Sequence, residues 1–366
     1  METLNQKLLK VSFSYRPRMS SVEHYDTIVL GAGTSGLAAG GALKKAGKNY
    51  IILDSKKEIG RPIRSTGAVS LEWVKRINMP MTPEIVSSEI RRIKFTTDLG
   101  RSVKLRYPDP VGIVYNFEKY EKFLATKFVG DLNIEMETKV LEIGKNTVST
   151  EKGDFSADNF IVALGPQSRF GKKLDRQNVL VAYEEIRKAP KRDDFDMILW
   201  FSDMAPGGYF WDFANDEDSR KIGVCYYPDS SKKPKEVLDS FTKKFPELEG
   251  QMLETMAHQI PLSRPSDVVI EENRAYVGDM VNAVLNTTAG GLQGAFWSGT
   301  EAGNAAAVND LARYQSKWDQ EIKPWLLRHH NIHRFMHKNG ARSINRLMLY
   351  SKFMSGKRKK NIFGGL

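Results

Sequence analysis

The chain has 366 residues, 41% of them hydrophobic and 27% charged, and 55 Lys or Arg against 44 Asp or Glu give a formal charge of +11. One cysteine, Cys225, excludes an intramolecular disulfide and suits a reducing cytoplasm, where its expected role is packing. No stretch reads as a secretory signal or a membrane span, because the uncharged run at 280–300 holds Asn282, Asn286, Thr287, Thr288 and Gln293 with four glycines, the composition of a loop.

In chain order, residues 1–24 are polar, basic and weakly periodic and read as an N-terminal extension, with Met19 an alternative start. Tyr25 to Leu30 follows as a short buried strand and Leu37 to Lys45 as a helix, joined by Gly31-Ala32-Gly33-Thr34-Ser35-Gly36. Glycines at this spacing permit a tight turn, bring backbone N–H groups to a pyrophosphate and let helix pack on strand, while the helix N-terminus favours negative charge. A second strand, Tyr50 to Leu53, delivers Asp54, 18 residues after Gly36, to both ribose hydroxyls of a nucleotide. An acid there disfavours a 2′-phosphate, and hence NADP.

Ile90 to Tyr107 reads as a hairpin turning at Asp98-Leu99-Gly100, and Asn116 to Leu124 as a helix. Val179 to Ile186, Asp196 to Asp203, Gly208 to Asn215 and Lys221 to Tyr227 read as short antiparallel strands, and Lys232 to His258 as largely helical. Alternation along the third of these strands sends Tyr209, Trp211 and Phe213 to one face, as core or as the wall of a pocket. Further on, Ala275-Tyr276-Val277 is strand-like and leads into Gly278-Asp279, and Gly290-Gly291-Leu292 opens another helix. An NAD protein has no reason to repeat a Gly-Asp turn 243 residues after Gly36, so the two halves together point to FAD. Asp279 would serve its phosphate and ribitol region, and Gly290, Gly291 and Leu292 the pyrimidine end of its ring.

These pieces resemble the flavoprotein family of p-hydroxybenzoate hydroxylase and, within it, the geranylgeranyl reductases that saturate isoprenoid chains. Glu58-Ile59-Gly60-Arg61-Pro62-Ile63-Arg64-Ser65-Thr66-Gly67 is similar to the family's loop after the ribose-binding acid. Pro206 to Phe213 looks like its YxWxFP motif, and Thr287-Thr288-Ala289-Gly290-Gly291 like the reductases' TTGGG. The resemblance implies an α/β architecture in which a Rossmann-like FAD-binding domain is interleaved with an antiparallel-sheet substrate domain and followed by a helical tail. The FAD domain is expected from 25–80, 116–178 and 263–312, the substrate domain from 81–115 and 179–262, and a basic helical region from 313–366. To Gly31, Gly33, Ser35, Gly36, Asp54 and Asp279 it adds Ser55, Arg64, Ser65, Val140 and Gly165 as cofactor contacts. It makes Tyr209, Trp211 and Phe213 the substrate wall.

Departures from the family pattern mark a divergent branch. Ser65 stands where many of these reductases carry a cysteine, and it is the one candidate catalytic side chain. Phe117 replaces a cofactor-contacting arginine, Ala214 and Asn286 replace prolines, and Ala163-Leu164-Gly165 replaces an Asp-Gly turn.

From Ile322 to Leu366 there are eleven Lys or Arg and no Asp or Glu, ending in a basic run at 357–360. Apolar residues at Ile332, Phe335 and Met336, then Ile344, Leu347 and Met348, recur at helical spacing on either side of Gly340. Such basic amphipathic helices lie on an anionic membrane surface or pack on the body of a protein; no recognised module favours nucleic acid. His329, His330, His333 and His337 sit there without interleaved carboxylates, on a helix expected to be exposed, and no metal site is assigned.

The expectation is an FAD-dependent reductase of polyprenyl lipid double bonds, cytoplasmic and peripheral to the inner membrane face. Its electrons would come from a reduced nicotinamide or a ferredoxin-like protein. A flavin-dependent monooxygenase or halogenase, and a flavin-bearing lipid-binding protein without turnover, are the alternatives.

Overall fold

The computed structural model describes residues 22–166, 168–171, 178–228 and 232–351; the Met19 start and the basic run at 357–360 lie outside them. Strand Glu23–Leu30 is near-continuously buried from Thr27 onward, as a strand covered on both faces must be. It pairs in parallel with Gly153–Val162 on one side and Tyr50–Leu53 on the other. The sheet extends to Ile134–Glu135 at one edge and to Arg274–Tyr276 and Ile270–Glu271 at the other, with the antiparallel strands Val140–Ile143 and Thr147–Thr150 attached to Gly153–Val162. Val29, Ile52 and Ile161 face the helices, whereas Ile28, Leu30, Phe160 and Val162 face the arm that carries Val140 and Val148. Alternation thus builds two cores from one set of strands.

Helices Thr34–Lys45 and Leu292–Ala307 cover the first face and touch backbone to backbone. A Cβ on Gly299 would stand 1.9 Å from Ser35 O, and one on Gly303 2.6 Å from Ala39 O. Gly36 has the same function toward the strand end, since its Cβ would meet Gly31 O at 1.8 Å.

The second sheet runs Gln251–Pro261, Val179–Lys188, Ser219–Tyr226, Tyr209–Ala214, Met197–Phe201, Arg92–Thr97, Ser102–Arg106. All its pairings are antiparallel except that of Met197–Phe201 with Arg92–Thr97. Helix Pro234–Thr242 closes one face, where Phe210 stacks on Phe241 with centroids 3.8 Å apart. The opposite face carries Leu199, Trp211 and Phe213. A small antiparallel sheet of Ala68–Ser70, Gly112–Tyr115 and Val86–Ile90, not foreseen from the sequence, joins the two parts.

Two expectations are corrected. Lys232 to His258 is helical only over Pro234–Thr242 and a 3-10 turn at Pro246–Leu248, and Gln251–Pro261 is an edge strand of eleven residues. Its Gln, Glu, Met and Leu favour helix locally, and pairing along the whole of Val179–Lys188 overrides them. In the C-terminal region Ala312–Lys317, a π-turn at Trp318–Ile322 and the helix Lys323–Ser351 form one continuous rod. The rod's histidine face is not exposed as expected. His330 and His333 are buried, Met348 packs into the second sheet's apolar face, and Phe335 on the other side is 68% exposed. Among the described residues no helix is long and apolar enough to cross a membrane.

The helix seam generates a stability prediction. Gly299→Ala sets a methyl against an immovable carbonyl and should cost about 1–3 kcal/mol, read as a lower midpoint in urea at unchanged slope. An unchanged midpoint would show that the two helices do not meet as described.

Candidate functional site

The turn after the first strand is built by backbone. Gly31 sits at φ +108°, and a Cβ there would lie 2.4 Å from Ala163 O. Gly33 N-caps helix Thr34–Lys45, which has no side-chain cap from the N-cap residue and no acid in its first turn, and whose first residues line a cavity. Asp54 leaves the second strand with Oδ2 accepting the Ala32 N–H at 2.6 Å and Oδ1 the Lys56 N–H at 2.7 Å, which fixes a carboxylate beside the glycine turn.

The later motif arrives at the same place. Gly278, at φ +64°, packs its Cα against Ser35 and donates its N–H to Ser298 Oγ at 2.9 Å. Asp279 then faces the cavity beside Gly290, Gly291 and the start of helix Leu292–Ala307. His258 Nε2 stands 3.5 Å from Asp279 Oδ2.

One cavity of about 700 Å³ runs from Gly31 and Asp54 to the second sheet. Gly31, Gly33, Ser35, Asp54, Ser55, Arg64, Ser65, Val140, Gly165, Asp279, Gly290, Gly291 and Leu292 all line it, and so do Tyr209, Trp211 and Phe213. Gly36 does not; its work is the close packing of helix on strand. Ser65 lines the cavity, but its hydroxyl accepts the Gly67 N–H at 3.1 Å and so also shapes the loop. Arg61, in the same loop, pairs with Glu118 and with Glu254 on the edge strand, tying the loop to the second sheet.

The residues present fit FAD. Two helix N-termini, the Asp54 carboxylate and glycines whose Cα atoms face open space provide anion donors, ribose acceptors and room for a flat ring. Next to Gly33 the nearest atom to a Cβ is Glu121 Oε1 at 3.8 Å, and at Gly165 nothing lies within 4 Å.

Sequence reasoning missed Lys56, Thr66, Glu121, Ala182, Met197, Leu199, Met256, His258 and Ile260, all of which line the cavity. The last three were hidden by reading their strand as a helix. Alternate residues 256, 258 and 260 would have revealed one face of a strand. Thr66 lies in the loop quoted above beside Ser65, and the remaining five belong to no motif.

Behind the aromatic wall lies a buried polar cluster. Trp211 lies across Gly223, where a Cβ would be 2.2 Å from its Cζ2, and donates its indole N–H to Glu184 at 2.8 Å. Lys221 Nζ donates to Thr66 O at 2.6 Å and to Tyr115 O at 3.1 Å. Burial pushes the Glu184 carboxyl up and the Lys221 ammonium down, and each charge partly offsets the other. At the cavity's other side the C-terminal rod is tied down by His329 to Thr287 Oγ1 at 2.8 Å, His330 to Asn286 Nδ2 at 3.1 Å and His333 to Tyr227 OH at 3.0 Å. Burial pushes His329 down to about 4 and also lowers His330.

Comparison with known proteins agrees with this geometry. Residues 178–260 match the family model described as the geranylgeranyl reductase catalytic domain. The chain is 24% identical over 356 residues to a digeranylgeranylglycerophospholipid reductase of Methanothrix thermoacetophila, covering 88% of this chain and 90% of that one. It superposes on a geranylgeranyl bacteriochlorophyll reductase-like protein from Thermoplasma acidophilum with a TM-score of 0.77 at 21% identity, over 86% of each chain. A probable FAD-dependent monooxygenase from Pseudomonas aeruginosa gives 0.64 at 14% identity, over 84% of this chain and 94% of that one. The resemblance to geranylgeranyl reductases and the mixed α/β fold with a mostly antiparallel second sheet stand.

The cluster behind Trp211 is testable by substitution. Glu184→Leu strands the indole N–H and the Lys221 charge in a dry interior and should cost about 3–5 kcal/mol by denaturant titration. Adding Lys221→Met should recover a large part of that loss. Additive penalties in the double variant would refute the coupling.

Proposed function

We propose that this geranylgeranyl reductase-like oxidoreductase binds FAD and saturates carbon–carbon double bonds in the polyprenyl chains of a glycerophospholipid. The observation that carries the reading is a single cavity that joins the glycine turn, Asp54 and Asp279 to an apolar sheet face. Bound FAD, once reduced, supplies a hydride. An isolated alkene is a poor hydride acceptor, so the protein's task is to align the chain, exclude water and admit one proton.

The residues divide that task. Gly31, Gly33, Ser35 and the N–H groups they free would hold the pyrophosphate, with Asp54 and Ser55 at the adenosine ribose. Asp279, Gly290, Gly291 and Leu292 would hold the ribitol and ring, with Arg64, Ser65, Val140 and Gly165 completing the contacts. Trp211, Phe213, Leu199 and Met197 would line the route of the chain, with Tyr209 fixed over the ring-side loop by its hydrogen bond to Thr288 O. Division of the chain into an FAD part at 25–80, 116–178 and 263–312 and a substrate part at 81–115 and 179–262 follows the same reading.

Electrons would come from a reduced nicotinamide or a ferredoxin-like protein, the latter favoured by the chain's positive charge. Membrane contact would be made by the C-terminal rod, which exposes Ile332 and Phe335 beside Arg328 and Arg334. Each cation near an anionic surface contributes about 1 kcal/mol.

Anaerobic mixing of the chemically reduced holoprotein with a geranylgeranyl glycerophospholipid should reoxidise the flavin and add two hydrogens per double bond, read by mass spectrometry. Trp211→Ala should lower kcat/KM about tenfold or more, equivalent to roughly 1.4 kcal/mol, with FAD still bound. Flavin that reoxidises only with oxygen and leaves the lipid unchanged would replace this reading with monooxygenation. Protein that takes up no FAD would end it.

A further inference from the structure

One buried carboxyl in the cavity has no part in the reading above. Glu121, on helix Phe117–Phe123, is 4% exposed and reaches the N-terminus of helix Thr34–Lys45. There it accepts from Thr34 Oγ1 at 3.2 Å and from the Thr34 backbone N–H. Because that helix has no cap of its own, Glu121 supplies from a distant segment the negative group that the N-terminus attracts.

A bound pyrophosphate needs the same donors. Glu121 and Gly33 face the same void, so a phosphate seated against Gly33 stands beside this carboxyl. Two anions at one enclosed helix N-terminus repel, and the weaker acid is the one that becomes neutral. The charged groups facing Glu121 from neighbouring segments are Lys56, which favours its ionised form, and Asp54, which opposes it. Tyr120, its neighbour on the same helix, is fully buried and stays protonated. Burial outweighs the rest and holds the Glu121 carboxyl above its ordinary range before any ligand arrives.

We propose that Glu121 is a proton-linked ligand of the dinucleotide: it yields the Thr34 donors to a phosphate group, takes one proton from solvent, and remains as a neutral hydrogen-bond donor to the cofactor. The inference rests on the FAD reading but concerns affinity and not turnover. No covalent bond changes, and the stoichiometry is one proton taken up per cofactor seated. The sign follows from linkage. A group protonated more fully in the complex than in the free protein makes binding weaken as pH rises between its free and bound titration points.

The test is FAD affinity of the full-length, flavin-stripped protein by fluorescence quenching between about pH 5.5 and 8.5, with calorimetry in two buffers of different ionisation enthalpy. Kd should rise by up to about tenfold per pH unit through part of this range, with proton uptake approaching one per FAD. E121Q, a permanently neutral isostere, should bind at high pH more tightly than the natural protein and lose most of the dependence. A flat wild-type profile without proton uptake overturns the proposal. So does a pH dependence that survives in E121Q, which would belong to another group, and so does weaker binding by E121Q at high pH. Absence of FAD binding by the wild type at every pH removes the cofactor reading itself, an outcome distinct from these.

Discussion

Helix Thr34–Lys45 can lie on helix Leu292–Ala307 only where the latter presents no side chain, and Gly299 and Gly303 meet Ser35, Ala39 and Ala42 at those places. The seam joins segments more than 250 residues apart in the chain, so its formation, and not any local preference, assembles the site. With backbone against backbone, the N-terminal ends of both helices open onto one cavity. Each brings unsatisfied N–H groups and a partial positive charge. A methyl group in the seam would separate the two halves of what reads as a single dinucleotide site, although neither half would lose a contact residue.

The second sheet supplies what the first cannot, a broad apolar surface. Its strands send Phe210 and Ile222 to the helix-covered face, and Leu199, Trp211 and Phe213 to the cavity. Trp211 reaches its place because Gly223 leaves room for the indole to lie across the neighbouring strand and find Glu184. That places a buried acid and a buried lysine directly behind an apolar wall. The arrangement is expensive in desolvation, and it fixes the ring's orientation more narrowly than packing alone would.

What could be read in the sequence was whatever depends on local backbone geometry. Gly31, Gly33, Asp54, Asp279 and Gly290 announce themselves because turns, strand ends and helix starts demand particular residue types at particular spacings. The alternation of Tyr209, Trp211 and Phe213 was equally plain, since a pleated strand has period two. Strand Gln251–Pro261 was read as helix, because an edge strand is exposed along most of its length and its composition favours helix; the alternation of Met256, His258 and Ile260 was the one local signal of a strand, and pairing with Val179–Lys188 decides its state. Met256, His258 and Ile260 went unseen with it. Glu121 was hidden for a different reason. It sits in a recognisable helix, but its partner Thr34 is 87 residues away and nothing in either segment signals the contact.

The C-terminal rod shows how a strongly basic segment can belong to an apolar site. Its sequence, acid-free from Ile322 on, suggests a solvated or lipid-facing helix, yet His330, His333 and Met348 are buried and Ile344 packs on the second sheet. The histidines make this possible. A lysine at those positions would bury a charge, whereas the His330 imidazole, lowered by burial, stays neutral beside Asn286, and His333 exchanges a hydrogen bond with Tyr227. Neutral polar groups thus anchor the rod to the glycine-rich loop on one side and the sheet on the other, and Arg328 and Arg334 are left to the outer face. One helix therefore packs on the second sheet's apolar cluster with one side and presents positive charge with the other.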